Sequence, residues 1–579
     1  HYPEEPTPMR SLSFRPAVVR SVAVVLWALW LAGAPGALLA RDAAPVVDLA
    51  RKLDGIFTEV YAEDGPGAAV LVTRDGEVLL RKAYGMAHLE LGVPLEPDMV
   101  FRLGSVTKQF TAVAILMLVE DGKLALGDPV SKHLADYSDV HGDDVTVEHL
   151  LTHTSGIPNY TDMEVFWETV RDDKDVDGML DFFDEAELEF PPGTRWAYSN
   201  SGYVLLGALI EKVSGQPYAE FMRSRIFEPL GMDHTSYDDP ERLIPRRVAG
   251  YGRGENGYAN APYLSMSQPY AAGALMSTVD DLARWNDSLV ADDLLPKAVR
   301  ERMWTAHRLE DGSDSGYGYG WLIGDHDGAP VIWHGGGIHG FRTVAIWMPE
   351  EKIFVAVLSN DPAAQRGPDQ LGAMAASMAA GAPLIRQPVE LAPESLRRYE
   401  GVYRVEGEEE PRVVTAADGV LRIQRGDGPV LDARPSSERE FFLNRNLTRI
   451  HFEVEEGGEV TGLRILRWGR PSDRAAKTDE PMPEPQTAVE VAPELLDRLV
   501  GNYSLLGNTF RVWRDGERMM TQMASQPEIE VRAASPTELF NETLGARLVF
   551  EIDGERASSF TLHQGGQRIE APRVEDGVP

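Results

Sequence analysis

Hydrophobic and polar positions follow two regimes along this chain. Up to about residue 385 the apolar residues come in helix-length and strand-length blocks. Residues 46–63 carry a helical period. Two short runs, 68–72 and 77–81, flank Asp75-Gly76, a dipeptide suited to the tight turn of a hairpin. Residues 106–120 are apolar on almost every face, which predicts a helix surrounded by protein. From about 120 to 300 helix and loop patterns dominate. Runs at 342–348 and 353–359, separated by Pro349-Glu350-Glu351, predict a second hairpin, and 369–380 a closing helix. Strands at both ends with helices between predict one α+β domain whose ends share a single sheet.

After residue 385 short strand-like runs alternate with glycine, proline and acidic turns. An internal repeat runs through this part. Ala392-Pro393-Glu394, Leu396, Arg398, Gly401 and Tyr403 recur as Ala492-Pro493-Glu494, Leu496, Arg498, Gly501 and Tyr503. Phe452-Glu453-Val454 is matched by Phe550-Glu551-Ile552. Residues 469–490, with Pro481, Pro483 and Pro485, read as a linker. Two small β-barrels are expected, one β-sandwich built from both copies being the alternative. The expected organisation is 1–40 leader, 41–385 catalytic domain, 386–470 first barrel, 471–490 linker and 491–579 second barrel.

At 579 residues the chain exceeds what one hydrophobic core supports. Its 91 acidic against 56 basic side chains leave a formal charge of -35. That excludes the basic footprint a nucleic-acid partner requires and opposes docking on an anionic membrane. It reads as a solubility device. With no cysteine there is no disulfide, thiol nucleophile or zinc–thiolate site. Residues 1–8 read as an upstream remnant and Met9 as the start of a secretory leader. Arg10, Arg15 and Arg20 precede the apolar stretch 22–32, and Leu38-Leu39-Ala40 offers a cleavage point. The uncharged run 21–40 would alternatively serve as an uncleaved membrane anchor; Pro35 and the glycine and alanine near its end favour cleavage.

Candidate chemistry begins at Ser105-Val106-Thr107-Lys108, the sole S-x-x-K in the chain. Ser105 precedes the apolar helix, and three residues are nearly one turn, so Lys108 shares its face. A lysine in a buried helix loses solvation, and its pKa falls towards neutrality. A neutral amine beside a hydroxyl is a base for a serine nucleophile, and the helix N-terminus favours developing negative charge. A surface lysine with an N-capping serine is the plainer reading. Tyr198-Ser199-Asn200 supplies a phenol, which a nearby lysine ammonium would help to lose its proton for a proton relay, and an amide to hold the lysine or a substrate amide, or else a core tyrosine and a turn asparagine. His334-Gly335-Gly336-Gly337 precedes a strand. Its bare glycines allow close approach of a substrate, and a backbone N–H there with that of Ser105 would form an oxyanion hole. A lipase-type glycine loop would need a G-x-S-x-G elbow, which the chain lacks.

In this order, Ser105/Lys108, Tyr198/Asn200 and His334/Gly336 resemble the three motifs of the class C β-lactamase superfamily, which includes D,D-carboxypeptidases, D-aminopeptidases and esterases. Leu150-Leu151-Thr152-His153-Thr154-Ser155-Gly156, Pro229-Leu230-Gly231-Met232 and Gly273-Ala274-Leu275-Met276-Ser277 resemble family loops. The resemblance covers roughly 45–385. It implies a β-lactamase/transpeptidase-like domain: an antiparallel sheet flanked by helices, plus a helical lobe. The two lipocalin-like barrels that follow resemble the architecture of three-domain D-aminopeptidases. It further implies an acyl-enzyme on Ser105, with Lys108 and Tyr198 as catalytic groups and Asn200, His334, Gly336 and Gly337 binding substrate or oxyanion. Where β-lactamases usually carry lysine, this chain has His334, mostly neutral at pH 7. Recognition of a free carboxylate should therefore be weaker, which shifts the expectation from an efficient β-lactamase towards cleavage of D-amino-acid amides or small esters.

A D,D-carboxypeptidase or β-lactamase is the alternative activity, and a non-catalytic sensor the alternative class. No metal-ligand pattern is visible, so no cofactor is expected. The expected partner is a small molecule or short peptide, with no nucleic acid; the sequence leaves the oligomeric state open. Secretion or residence in the periplasm follows from the leader. N-terminal sequencing of protein from the native host should find cleavage near Ala40; a mature chain retaining Trp27 and Trp30 would establish the anchor instead.

Overall fold

The computed structural model describes residues 39–574, apart from 136, 138–139, 255–256, 385, 409, 427, 444–446, 484–486, 506–507, 524–525, 543 and 565–566. Of the leader expected over 9–40, residues 9–38 lie outside the described residues. Helix α1 spans Leu39–Thr58. It leads to strands β1 (Ala68–Arg74) and β2 (Glu77–Tyr84). Next come α2 (Thr107–Glu120) and a helical lobe containing α3 (Val147–Thr152), α4 (Glu164–Thr169) and α5 (Asn200–Ser214). The chain returns through β3 (Leu322–His326), β4 (Ala329–Ile338), β5 (Phe341–Met348) and β6 (Ile353–Ser359) and closes with α6 (Pro368–Ala379). Among the described helices none is long and apolar enough to cross a membrane.

The sheet order is β3-β4-β5-β6-β1-β2, so the first and last strands of the domain meet at its middle. β1 pairs antiparallel with β6, Ala68 opposite Ser359 and Val72 opposite Val355. All seven residues of β6 are buried, because both sheet faces are covered. Val70, Val72, Val344, Ile346, Val355 and Val357 meet α1 and α6 on one face. Ala69, Leu71, Ala345, Ala356 and Leu358 meet the helical lobe on the other. Helix α2 is buried from Thr107 to Leu118, as its all-round apolar pattern demands.

Two closed eight-stranded barrels follow, which excludes the single sandwich. Each is an up-and-down meander whose last strand pairs with its first, leaving no open edge. The sequence repeat is structural. Tyr403 donates its hydroxyl hydrogen bond to Tyr399 O, and Tyr503 to Leu499 O, each at 2.7 Å and four residues back. Tyr403 packs on Phe452 and Tyr503 on Phe550 at 5.9 and 5.8 Å between ring centroids. One boundary shifts. The eighth strand of the first barrel, Asp473–Thr478, falls within the stretch read as linker. Only Ala475 of that strand is buried, so its charged sequence hides its role.

The first barrel docks on the catalytic sheet through backbone. Arg470 bridges to Asp325 of edge strand β3, and Gly469 N–H donates to Asp325 O at 3.1 Å. Trp333 of β4 donates its indole N–H to Gly469 O at 2.7 Å. Arg449 of the barrel and Arg386 pair with Asp327. This covers an otherwise open strand edge. Gly469 sits at φ +64°, and a Cβ there would lie 2.7 Å from Trp333 Nε1. Gly469→Val should therefore cost about 1–3 kcal/mol and loosen the seam. Limited proteolysis should clip between the domains sooner and the thermal midpoint should fall; unchanged values would show that the seam contributes nothing to stability.

Candidate active site

Ser105 lies in a single 3₁₀ turn, Gly104–Val106, that runs directly into α2. The turn presses against β4. A Cβ on Gly336 would stand 2.0 Å from Leu103 O, and one on Gly104, at φ +54°, 2.9 Å from Gly337 N. Thr343, opposite Gly336 on β5, donates its hydroxyl to the same Leu103 O at 2.6 Å. Glycine is thus required at 104 and 336 for the nucleophile turn to touch the strand. The contact places the Gly337 N–H beside the start of α2, where an oxyanion would gather donors.

Lys108 is fully buried, and burial holds its amine well below the usual lysine range. Its Nζ lies 2.7 Å from Asn200 Oδ1, 2.9 Å from Ala272 O and 3.3 Å from Ser105 Oγ. The first two groups can only accept. A neutral amine spends its two N–H bonds on them, and its lone pair faces the Ser105 hydroxyl. Asn200 is fixed in turn: its Nδ2 donates to Asn159 Oδ1 at 3.2 Å and Thr161 Oγ1 at 3.3 Å. With both ends of its amide engaged, Asn200 clamps the lysine and has no N–H left over for a substrate amide in this arrangement.

Tyr198 donates its hydroxyl to Ser105 Oγ at 2.8 Å. Burial pushes the phenol above its usual range, opposed only in part by that hydrogen bond. The expectation that a neighbouring ammonium eases ionisation of this tyrosine is therefore corrected. The lysine is itself desolvated, and the phenol rests protonated.

His334 is buried on β4. Its Nδ1 meets Gly335 O at 2.6 Å and its Nε2 meets the Tyr317 hydroxyl at 2.9 Å. A carbonyl only accepts, so we assign the proton to Nδ1, and Nε2 accepts from Tyr317. Burial above all pushes the imidazole down to about 3. His334 is thus neutral, with both nitrogens engaged away from Ser105.

The structure brings Ser105, Lys108, Tyr198, Asn200, His334, Gly336 and Gly337 into one cleft between sheet and helical lobe. It adds residues to which the sequence reading gave no role. Asn159, Thr161 and Ala272 O hold the lysine clamp. His153 ends α3 at φ 57° and accepts the Ser199 N–H on Nδ1 at 3.1 Å, pinning the Tyr198–Asn200 segment. Its ring lies 4.4 Å from that of Tyr198 and 4.7 Å from that of Tyr317. Burial, with Lys108 and His334 close by, keeps it neutral. Only the resemblance of its loop marked this histidine. Among the described residues no group of three or more histidine, aspartate or glutamate side chains is placed to hold a metal ion.

Comparison with known proteins agrees with this architecture. A family model described as Beta-lactamase matches residues 53–377. Penicillin-binding protein 4* of Bacillus subtilis is 29% identical over 548 residues, covering 90% of this chain and 98% of the relative. A D-aminopeptidase of Gluconobacter oxydans is 28% identical over 301 residues, 51% of this chain and 56% of that enzyme. The octameric penicillin-binding protein homologue from Pyrococcus abyssi is 26% identical, covers 76% of this chain and all of its own, and superposes with a TM-score of 0.50. With the matched region spanning more than half of the sequence and containing every residue of the cleft, the chain belongs to the beta-lactamase family.

Proposed function

We propose that this chain is an exported serine hydrolase that forms an acyl-enzyme on Ser105 and cleaves amides of D-amino acids or small neutral esters. The observation that carries the reading is the Lys108 amine: buried, with two N–H bonds committed to acceptors and its lone pair towards Ser105. Lys108 takes the Ser105 proton as Oγ attacks the substrate carbonyl. The N–H groups of Ser105 and Gly337 receive the oxyanion. Collapse breaks the bond to the leaving amine or alcohol, which takes the Tyr198 proton, and the new ammonium of Lys108 reprotonates the phenolate. Water then attacks the acyl-enzyme, losing its proton to the same pair, and Ser105 is regenerated.

The substrate preference rests on His334. A neutral imidazole with both nitrogens engaged offers no cation to a carboxylate beside the scissile bond. The likeness to a D-aminopeptidase agrees with this preference, and the likeness to penicillin-binding proteins keeps D-Ala-D-Ala peptides and β-lactams as the alternative substrates. Export rests on the pattern of residues 9–40.

Ser105→Ala should abolish turnover and labelling by a fluorophosphonate. Lys108→Ala should lower kcat/KM by about 10²–10⁴-fold, the range for loss of a general base. Labelling of Ser105→Ala at the wild-type rate would place the nucleophile elsewhere. The pH dependence has a definite sign. Lys108 acts as the free base, so kcat/KM rises with pH through its lowered pKa and is already high well below pH 10.5. His334, near 3, contributes no titration between pH 5 and 9.

Exchange of His334 for lysine separates the roles further. His334→Lys should improve carboxylate-bearing substrates relative to matched neutral ones, because a cation would stand where the neutral imidazole offers none. A uniform loss on both, with a rate in the wild type that falls through a histidine-like pKa, would move the base from Lys108 to His334.

A further inference from the structure

A pair of rings bridges the helical lobe and the β4–β5 turn and takes no part in the chemistry above. Trp167 on α4, in the helical lobe, is 56% exposed. His339 lies in the β4–β5 turn, two residues beyond Gly337. The rings are nearly parallel, 6.2 Å between centroids and 18° between planes. Each is tied to its own wall of the cleft. The Trp167 indole N–H donates to Thr161 O at 3.0 Å, and the Thr161 hydroxyl receives Asn200 Nδ2. His339 Nδ1–H donates to Pro262 O at 3.3 Å. Tyr263, beside it, is 48% exposed, with the Arg171 guanidinium 5.7 Å from its ring centroid. Ser265 N–H donates to Val170 O at 3.0 Å, which joins the 261–268 segment to the residues just after α4. Three segments thus converge on one exposed aromatic rim.

A tryptophan packed only for stability hides most of its surface. Here Phe166 beneath is buried and meets Trp167 edge-on at 5.0 Å. The indole above it is half open, held in place by its own N–H. A rigid, exposed aromatic surface beside a nucleophile suits a flat apolar group, because rings gain from offset or edge contact as well as from burial. The acyl group stays bonded to Ser105 through both steps, so it is the part of the substrate that such a rim can hold throughout.

We propose that Trp167 and His339, with Tyr263 beside them, are specificity-determining residues that select substrates carrying an aromatic or similarly flat apolar substituent on the acyl group. This deepens the acyl-enzyme reading and rests on it. The test compares p-nitrophenyl phenylacetate with p-nitrophenyl acetate, which share a leaving group, on the full chain and on Trp167→Ala, His339→Ala and Trp167→Phe. Wild type should favour the phenylacetyl ester by about ten-fold in kcat/KM, the effect of roughly one well-placed ring contact, expressed mainly in KM. Both alanine variants should bring the ratio close to one, and Trp167→Phe should retain most of it. A wild-type ratio near one, or variants that lower both esters equally, would overturn the proposal. Fluorophosphonate labelling in parallel keeps the two readings apart. A labelled wild type without discrimination refutes the rim alone, whereas an unlabelled Ser105 refutes the nucleophile. In that second case calorimetric titration of the full chain with N-acetyl-D-phenylalanine amide against N-acetyl-D-alanine amide still decides the rim: tighter binding of the aromatic amide that Trp167→Ala removes supports it, and equal binding overturns it.

Discussion

The site depends on one desolvated amine. A lysine removed from water carries its charge at a cost, and the protein meets that cost by letting Lys108 be neutral. Everything around it serves this state. Helix α2 buries the side chain, the carbonyl of Ala272 and the amide of Asn200 absorb its two N–H bonds, and among the described residues no carboxylate pairs with it to hold the proton. Neutral His153 and His334 continue the same environment outward. In a chain with a large excess of acidic side chains, the centre of the cleft is kept free of fixed charge of either sign.

That environment needs the sheet and the helical lobe to meet without a gap, and glycine provides the fit. The Leu103 carbonyl occupies the space a side chain at 336 would fill, and Gly337 approaches the backbone at 104. The strand that supplies this edge is held from behind as well. Trp333, next to His334, is anchored to Gly469 of the first barrel. The barrel is therefore part of the support of the catalytic strand, one residue removed from the cleft.

Much of this was legible in the sequence, for physical reasons that differ by element. The two hairpins could be read because turn residues separate runs of strand length, and α2 because it is apolar on every face. Ser105 and Lys108 could be paired because three residues are one helical turn. Tyr198, Asn200 and His334 could be named for their chemistry, but it was the resemblance that joined them to Ser105 in one site, since no local period links residues separated by tens to hundreds of positions. Asn159, Thr161 and His153 were not assigned roles because they act through hydrogen bonds that only the folded chain creates. The carbonyl of Ala272 has no side-chain signature at all. The expected ease of ionisation at Tyr198 failed because it presumed a charged neighbour, and burial removes that charge. The eighth strand of the first barrel escaped because a closed small barrel needs just one buried residue, Ala475, from it.

The central position of β1 has a consequence for the order in which the molecule can be made. The hydrogen bond from the Ser359 hydroxyl to Gly67 O spans 292 residues. At about 5–20 residues per second of synthesis, β1 waits on the order of 15–60 s for its neighbour β6. During that time the first hairpin lacks its sheet partner, and two strands alone are marginal in water. The sheet can therefore close only after the last strand of the domain has been made, and its middle is the part completed latest.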